Sequence, residues 1–316
     1  MPNKEKSHQG VVIRSTGSWY EIRETNGNIL SCKFKGKFKI AGIKSTNPIA
    51  VGDKVRFIRM EGETTGVITS IEKRHNYIIR KSINLSKQTH IIAANIDYAF
   101  LVVTISQPRT SLGFIDRFLL SAEAYHIPVV LVFNKLDINT KEERELQDEM
   151  LEKYSSIGYQ CIQSSATKRI GIDEIAGLMK GKTSMIGGHS GVGKSALVNA
   201  IQPGLLLKTS QISHFNQKGR HTTTFAEMHP LDFGGYIIDT PGIKEFGLVD
   251  FKKEDVAGYF PEMRNFMRQC KFNNCLHVNE PQCAVKEAVE DGLIAQSRYN
   301  NYLAILEDDN LNKKPF

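Results

Sequence analysis

The sequence GHSGVGKS occupies residues 188–195 and fits GxxxxGKS, the pattern of a phosphate-binding loop. A strand is expected from Ser184 to Gly187 and a helix from Ala196 to Ile201, which is the context that such a loop requires. The glycines allow backbone N–H groups to turn towards phosphate oxygens, and the start of the helix adds a field that favours anions. The expected nucleotide contacts are Gly188, His189, Ser190, Gly191, Val192, Gly193, Lys194, Ser195 and Ala196.

Several side chains and one backbone amide near this loop are expected to act on the phosphates. Lys194 is predicted to reach the β and γ phosphates and to act in catalysis, while the Ser195 hydroxyl coordinates Mg²⁺. Asp239 follows the apolar stretch Tyr236–Ile238 and is predicted to hold Mg²⁺ through water. The Gly242 N–H is predicted to sense the γ phosphate. An aspartate-proline turn is a weak signal alone, but it is strong at this distance after a phosphate loop.

The tetrapeptide NKLD at residues 134–137 indicates that the base is guanine. Asp137 can accept hydrogen bonds from guanine N1–H and the exocyclic amine, whereas adenine would leave the carboxylate unsatisfied. Asn134 is expected to support the base and the loop that carries residues 134–137. The stem of Lys135 is expected to lie over the purine ring. The tripeptide SSA at residues 164–166 is expected to bring the backbone N–H groups of Ser165 and Ala166 to guanine O6, although this motif is weak by itself. A phosphate-loop ATPase is the chemical alternative.

These motifs stand in an unusual order. In an ordinary small GTPase the phosphate loop comes first and the base-reading motif last, whereas here residues 134–137 precede residues 188–195. The nucleotide domain is therefore predicted to be circularly permuted.

A switch segment is predicted at GRHTTT, residues 219–224. A threonine there can complete the Mg²⁺ shell only when the γ phosphate is present; Thr223 is favoured, but three adjacent threonines leave the register open. Ile243 stands where many GTPases have a glutamine that orients the attacking water, so intrinsic hydrolysis is expected to be slow. His221 is a candidate for positioning that water; a structural role or an RNA contact is the alternative.

A zinc site is predicted in the last quarter of the chain. Three thiols and one imidazole make a closed tetrahedral ligand set, which is typical of one structural Zn²⁺. The polar, turn-forming sequence between them offers little apolar material and would need a metal to order it. The spacing is not the usual paired CxxC, and four unrelated residues are the alternative. The predicted ligands are Cys270, Cys275, His277 and Cys283.

Composition sets limits on the class of protein. The chain has 316 residues, is 41% hydrophobic and carries a formal charge of +7, which suits an anionic partner without requiring one. Five cysteines, three of them clustered, do not indicate a disulfide framework. The first residues have no apolar signal segment, and the longest apolar runs are too short to cross a bilayer. We expect a cytoplasmic monomer without a membrane partner.

Three domains are predicted. Residues 1–75 form short strands and turns, as in an OB-type barrel, and the alternation in Cys32–Ile40 gives one face of lysines. That face is either a nucleic-acid surface or an ordinary solvated strand. Residues 76–248 alternate strands and helices, which predicts a doubly wound α/β sheet. Residues 249–316 are predicted to form helices over Lys252–Gln269 and Ala284–Glu307, flanking the zinc ligands.

Together these features resemble one family, the circularly permuted GTPases of the RsgA (YjeQ) type that assist late maturation of the small ribosomal subunit. The resemblance rests on the motif order, the 219–224 segment and the cysteine cluster, and Ala93–Asp97 is also similar. The family also favours a hydrophobic residue where Ile243 stands.

This resemblance implies an N-terminal OB barrel that binds RNA, a permuted GTPase core and a C-terminal zinc-binding helical domain. It implies binding to the small ribosomal subunit and its rRNA, GTP hydrolysis stimulated by the subunit, and release after hydrolysis to GDP. Two other functions stay open at this point. One is a passive RNA-binding protein with a vestigial nucleotide site, and the other is a GTPase switch that controls a protein partner.

Overall fold

The computed structural model describes residues 7–34, 49–59, 62, 64–81, 89–205, 226–239 and 252–307. These residues fall into two compact units. One unit takes its residues from Met1–Tyr98, Ala176–Ile186 and Gln202–Ile243, and the other from Ala99–Ile175, Gly187–Ile201 and Lys244–Phe316. The boundaries of the three domains expected from the sequence remain a prediction.

The elements follow the chain in this order. The strands are β1 (Ser7–Ser15), β2 (Trp19–Glu24), β3 (Ile29–Phe34), β4 (Lys54–Arg59), β5 (Thr65–Ile71), β6 (Tyr77–Lys81), β7 (Thr89–Ala94), β8 (Tyr98–Val103), β9 (Val129–Phe133), β10 (Gln160–Gln163), β11 (Thr183–Gly187), β12 (Glu227–Pro230) and β13 (Tyr236–Asp239). The helices are α1 (Leu112–Ala124), α2 (Lys141–Ile157), α3 (Ile172–Met179), α4 (Lys194–Ile201), α5 (Lys253–Val256), α6 (Pro261–Met267), α7 (Ala284–Glu290) and α8 (Gln296–Leu306).

The first five strands close into a barrel. β1 pairs with β2 on one side and β4 on the other, β2 pairs with β3, and the parallel pair β3–β5 and the antiparallel pair β5–β4 complete the ring. Alternate side chains point inward, because successive residues of a strand face opposite sides. Val12, Ile22, Phe57 and Ile68 are fully buried inside. This confirms the OB-type barrel, while residues 35–40 of the predicted lysine face lie outside the described residues.

The barrel is tied to the segment that follows it by buried polar side chains. Asp53 is fully buried and accepts a two-point ion pair from Arg74, with both N–O distances 2.6 Å. The Asn76 side chain bonds both the N–H and the carbonyl of Ile96, at 2.8 Å each. Asn95 donates to the Gly52 carbonyl at 3.0 Å. The Ala93–Asp97 segment singled out in the sequence is thus a structural junction.

The α/β part of the chain contains two strands, β8 and β9, that are apolar throughout, as expected for parallel strands covered on both faces. β8, β9 and β10 are parallel neighbours, and every residue of β9 is buried. β11 and β13 form a second parallel pair, and β12 is antiparallel to β13. β12 also meets barrel strand β1, where Arg14 lies opposite Glu227. The predicted mixed α/β class is confirmed.

The helices that flank β9 begin at capping residues. The Ser111 side chain accepts the Phe114 N–H at the start of α1, and Thr140 and Glu143 form a reciprocal capping box at the start of α2. The sequence pattern predicts helices over Phe114–Tyr125 and Lys141–Tyr154, and both agree with the observed helices to within three residues at each end. α2 ends at Gly158, which has the left-handed backbone common at helix ends.

The C-terminal segment differs from the prediction, because each of its two expected helices is interrupted. Pro261 begins α6 and separates it from the short helix α5, since proline has no N–H to continue a helix. Gly292, with φ of 73°, lies in the turn between α7 and α8. Among the described residues, no helix is both long enough and apolar enough to span a membrane.

Candidate nucleotide site and metal cluster

The phosphate loop connects β11 to α4, as the sequence predicted. Its backbone needs glycine at specific places. At Gly188 φ is 134°, and a Cβ would lie 2.4 Å from the Val102 carbonyl oxygen. At Gly193 φ is 96°, and a Cβ would lie 2.4 Å from Asn134 Nδ2. Either side chain would clash with a neighbouring strand or loop, so the loop can close only with glycine at both positions.

The lysine of this loop folds back over it. Lys194 Nζ donates to the Gly188 carbonyl at 2.7 Å and to the His189 carbonyl at 2.6 Å. The His189 ring stacks on Phe114 of α1, with ring centroids 3.7 Å apart. Ser195 and Ala196 are exposed in the first turn of α4. Lys194 and Ser195 therefore lie together at this loop, where the sequence predicts that phosphates and Mg²⁺ bind.

The base-reading segment contacts the phosphate loop directly. Asn134 is 2% exposed and donates from Nδ2 to the Val192 carbonyl at 2.9 Å. Its Oδ1 accepts from the Ser164 hydroxyl at 3.1 Å. Thus one amide side chain joins three segments that are far apart in sequence, and it brings together the phosphate loop, the base-reading segment and the tripeptide at residues 164–166.

Asp137 is held by two hydroxyls. Ser165 Oγ donates to one carboxylate oxygen at 2.6 Å and Thr167 Oγ1 to the other at 2.9 Å. These bonds, the Ser165 bond foremost, hold the pKa of Asp137 below its ordinary value. The carboxylate therefore stays ionised and acceptor-only, which suits paired N–H donors.

The neighbouring tripeptide offers fewer free donors than expected. The Ser165 N–H donates to the Ile170 carbonyl at 3.1 Å, so the Ala166 N–H is left as the candidate for guanine O6. Thr167 was not identified from the sequence, although a hydroxyl two residues after Ser165 is a usable signal.

Lys135 also has a partner that the sequence did not suggest. Its Nζ donates to the Gln107 carbonyl, in the loop that follows β8. Pro108 of the same loop lies beside the phosphate loop, because a Cβ on Gly191 would be 3.2 Å from Pro108 Cδ. The only local signal was a Gln-Pro pair after a buried strand, which marks a turn and not a site.

Some predicted residues cannot be placed. His221, Thr223 and Gly242 lie outside the described residues, as does Ile243. The backbone of Asp239 ends β13, and the register of β13 against β11 pairs Ile238 with Met185. The roles of these residues remain predictions.

The four predicted zinc ligands come together after α6. Their ligand atoms all lie within 4.8 Å of one another. His277 Nδ1 is 3.6 Å from Cys270 Sγ and 3.3 Å from Cys283 Sγ, and the two sulfurs are 4.0 Å apart. A tetrahedron with Zn–S bonds of about 2.3 Å has edges of roughly 3.8 Å. The donor set and its spacing therefore fit one zinc ion bound through Nδ1.

The loop that carries these ligands is fixed by three side chains. Glu280 accepts the N–H groups of Leu276, Val278 and Asn279 at 2.8–3.1 Å. Tyr299 and Tyr302 on α8 donate to the carbonyls of His277 and Leu276, both at 2.6 Å. The metal loop is thus bound to the last helix through its backbone.

The same helix is held to α1 and α6 by a buried charge network. Arg298 on α8 is 1% exposed and makes a two-point ion pair with Glu262 of α6 at 2.6 and 3.1 Å. It also donates to Asp116 of α1 at 2.7 Å, and Tyr154 donates to the same carboxylate at 2.8 Å. Asp116 and Glu262 raise the pKa of Arg298, against the effect of burial, so the guanidinium remains charged.

Comparison with known proteins identifies this combination of domains. The RsgA N-terminal domain model matches residues 9–68 and the RsgA GTPase model matches residues 71–249. The chain is 55% identical over 304 residues to the small ribosomal subunit biogenesis GTPase RsgA of Flavobacterium psychrophilum, covering 95% of this chain and 93% of that protein. It is 52% identical over 300 residues to the protein of that name from Bacteroides fragilis strain YCH46, covering 95% of this chain and 96% of that protein.

Two solved structures are similar over the whole chain. YjeQ from Thermotoga maritima has a TM-score of 0.80 at 36% identity, covering 98% of this chain and 100% of that one. YloQ, described as a circularly permuted GTPase, has a TM-score of 0.76 at 28% identity, covering 100% of this chain and 99% of that one. The resemblance and the permutation inferred from the motifs are confirmed, and the chain belongs to the RsgA GTPase family, whose members hydrolyse GTP.

Proposed function

We propose that the candidate nucleotide site binds and hydrolyses GTP in support of small ribosomal subunit assembly. The observation that carries the nucleotide assignment is the bond from Asn134 to the Val192 carbonyl, together with the hydroxyl pair on Asp137. These contacts support the proposal, because they hold the carboxylate of Asp137, the proposed guanine acceptor, and connect its segment to the phosphate loop. A vestigial site would have no need to keep the buried amide and the ionised carboxylate together.

The proposed catalytic groups act on the γ phosphate. Lys194 stabilises charge that develops on the phosphate oxygens, and the loop N–H groups add donors aimed at the same atoms. Ser195, Thr223 and water held by Asp239 would keep Mg²⁺ in place, and the ion neutralises phosphate charge when bound. His221 positions the attacking water. It takes the role of the glutamine that many GTPases have at the position of Ile243.

Substitution of Ser165 tests the assignment of Asp137. The Ser165 hydroxyl lowers the pKa of this carboxyl, so Ser165→Ala raises it. A group with a lowered pKa keeps its charge to more acidic pH, and its function is lost as pH falls through that pKa. Guanine nucleotide binding is therefore expected to disappear at higher pH in the variant than in the wild type. Titration of GDP affinity against pH measures this, and coincident profiles would contradict the assignment.

We also propose that the cysteine cluster holds one structural zinc. Substitution of Cys283, which is 3% exposed, should reduce bound zinc from one equivalent to none and expose the segment after α6 to protease. Elemental analysis and limited proteolysis measure the two effects. Cys161→Ser is the matched control, because this thiol lies on β10 outside the cluster and should leave one equivalent. Equal zinc in both variants would exclude the site.

The ribosomal role is supported by the names of relatives and by surface chemistry. Relatives more than 50% identical are named small ribosomal subunit biogenesis GTPases. Trp19, 37% exposed on the barrel, has Lys33 Nζ 4.3 Å from its ring centroid. An exposed indole beside a cation can stack on an unpaired base. We infer a cytoplasmic monomer that binds rRNA, with hydrolysis stimulated by the subunit and coupled to release.

The decisive experiment is GTP turnover with and without purified small subunit. The subunit should accelerate wild-type turnover, and Lys194→Ala should remove turnover in both conditions. Subunit affinity should be higher with a non-hydrolysable GTP analogue than with GDP. Equal turnover with and without the subunit would reject stimulation, and equal affinity in the two nucleotide states would reject release by hydrolysis.

A further inference from the structure

The loop between β8 and α1, residues 104–110, is closed at its base by two threonines. The Thr104 N–H donates to Thr110 Oγ1 at 3.1 Å, and the Thr110 N–H donates to the Thr104 carbonyl at 2.9 Å. Thr104 Oγ1 also donates to the Pro108 carbonyl, inside the loop. Thr104 is 2% exposed and Thr110 is 5% exposed. Buried hydroxyls thus fix the shape of a loop whose residues 107–109 are exposed.

The tip of this loop touches the candidate nucleotide site at two points. The Gln107 carbonyl accepts the Lys135 ammonium, and Pro108 lies against Gly191 of the phosphate loop. Gln107 and Lys135 both have a left-handed backbone, with φ of 56° and 69°. This conformation is unfavourable for residues with a side chain and persists only where the surroundings hold it. Both partners of the bond are therefore held in place by other contacts.

We propose that Thr104 is a positioning residue for guanine nucleotide binding. Through the Pro108 carbonyl it fixes the loop tip, which holds the Lys135 ammonium so that the lysine stem lies ready over the purine ring. The same tip limits movement of the phosphate loop at Gly191. This role rests on the proposed function, because it requires that the base and phosphates bind at these motifs.

The contacts predict which measurements should change. Neither Lys135 nor Gly191 is expected to contact the γ phosphate, so GTP and GDP should be affected alike. Loss of the Thr104 hydroxyl is expected to raise both dissociation constants by about fivefold to tenfold, the scale of one hydrogen bond. Turnover at saturating GTP should stay within about twofold of wild type, because such a loss of uniform binding changes KM and not kcat.

Binding of fluorescent GDP and GTP analogues to the full chain provides the test. Thr104→Val removes the hydroxyl at nearly equal volume, and Thr104→Ser restores it and should return binding to wild type. Ser121→Ala is the matched control, since it removes another buried hydroxyl that donates to a carbonyl, at 2.9 Å within α1. Thermal unfolding of all three variants shows whether each is folded at the temperature of the assay.

The outcomes are distinct. In a Lys135→Met background, Thr104→Val should weaken binding less than it does in the wild-type background, because the contact through Lys135 is already removed. An undiminished effect in that background would overturn the role of Lys135. Wild-type affinity in folded Thr104→Val, failure of Thr104→Ser to restore binding, or equal weakening by Ser121→Ala would each overturn the inference alone. A wild-type chain that binds neither GDP nor GTP would instead remove the proposed function, and this inference with it.

Discussion

Asp137→Asn is expected to exchange the nucleotide preference of the enzyme from guanine to xanthine. The carboxylate accepts from two donors of guanine, and an amide presents a donor in place of one acceptor. Affinity for GTP should fall about a hundredfold, or about 3 kcal/mol for two charge-assisted hydrogen bonds. Xanthine carries a carbonyl where guanine carries the amine, so the introduced side-chain amide can donate to it and XTP should gain affinity. Competition binding with GTP, XTP and ATP measures the exchange.

Asp148→Asn is the matched control for this change. Asp148 is exposed on α2 and accepts from the Gln163 amide at 2.9 Å, away from the hydroxyl pair that holds Asp137. It should keep wild-type preference for GTP. If Asp137→Asn also retained full GTP affinity, Asp137 would not read the base. A gain for ATP would instead favour a phosphate-loop ATPase.

Arg298→Ala is expected to cause a larger loss of stability than any other substitution proposed for this protein. It leaves Asp116 and Glu262 buried, with 1% and 9% exposure, and removes the charge that compensates them. Breaking a buried ion pair in this way costs about 3–5 kcal/mol of unfolding free energy. Denaturant unfolding of the full chain measures the loss.

Arg264→Ala provides the comparison, because it breaks an ion pair between two of the three helices that the buried network joins. Arg264 of α6 pairs with Glu123 of α1 at 2.9 Å, but its side chain is 50% exposed. Exposed ion pairs contribute up to about 1 kcal/mol, so this variant should remain near wild type. Equal losses in the two variants would show that the buried network does not hold α8 against α1.

The sequence was sufficient where a site is made by neighbouring residues. The phosphate loop, the base-reading segment and the zinc ligands each lie within a short stretch whose residue types indicate their chemistry, and strand β9 is a continuous run of apolar residues. The closed barrel also followed from alternation and turn residues. These elements are encoded locally, so no knowledge of distant contacts was needed.

Contacts between distant positions were not predictable in this way. Asp116, Glu262 and Arg298 are ordinary charged residues on three helices, and only the fold buries them together. Gln107 likewise lies beside Lys135 only through the position of its loop. The helix interruptions at Pro261 and Gly292 had local signals, but helical periodicity on both sides outweighed them in the prediction.

The meeting of β12 with the barrel has a practical consequence for fragments of this protein. Strand β1 lies alongside β12 at Arg14 and Glu227, so the barrel covers one side of a short antiparallel strand. Deleting the barrel uncovers hydrogen-bonding groups that can then pair with a second molecule. An isolated nucleotide core is therefore prone to self-association, and loss of activity in such a truncation does not by itself assign catalysis to the barrel.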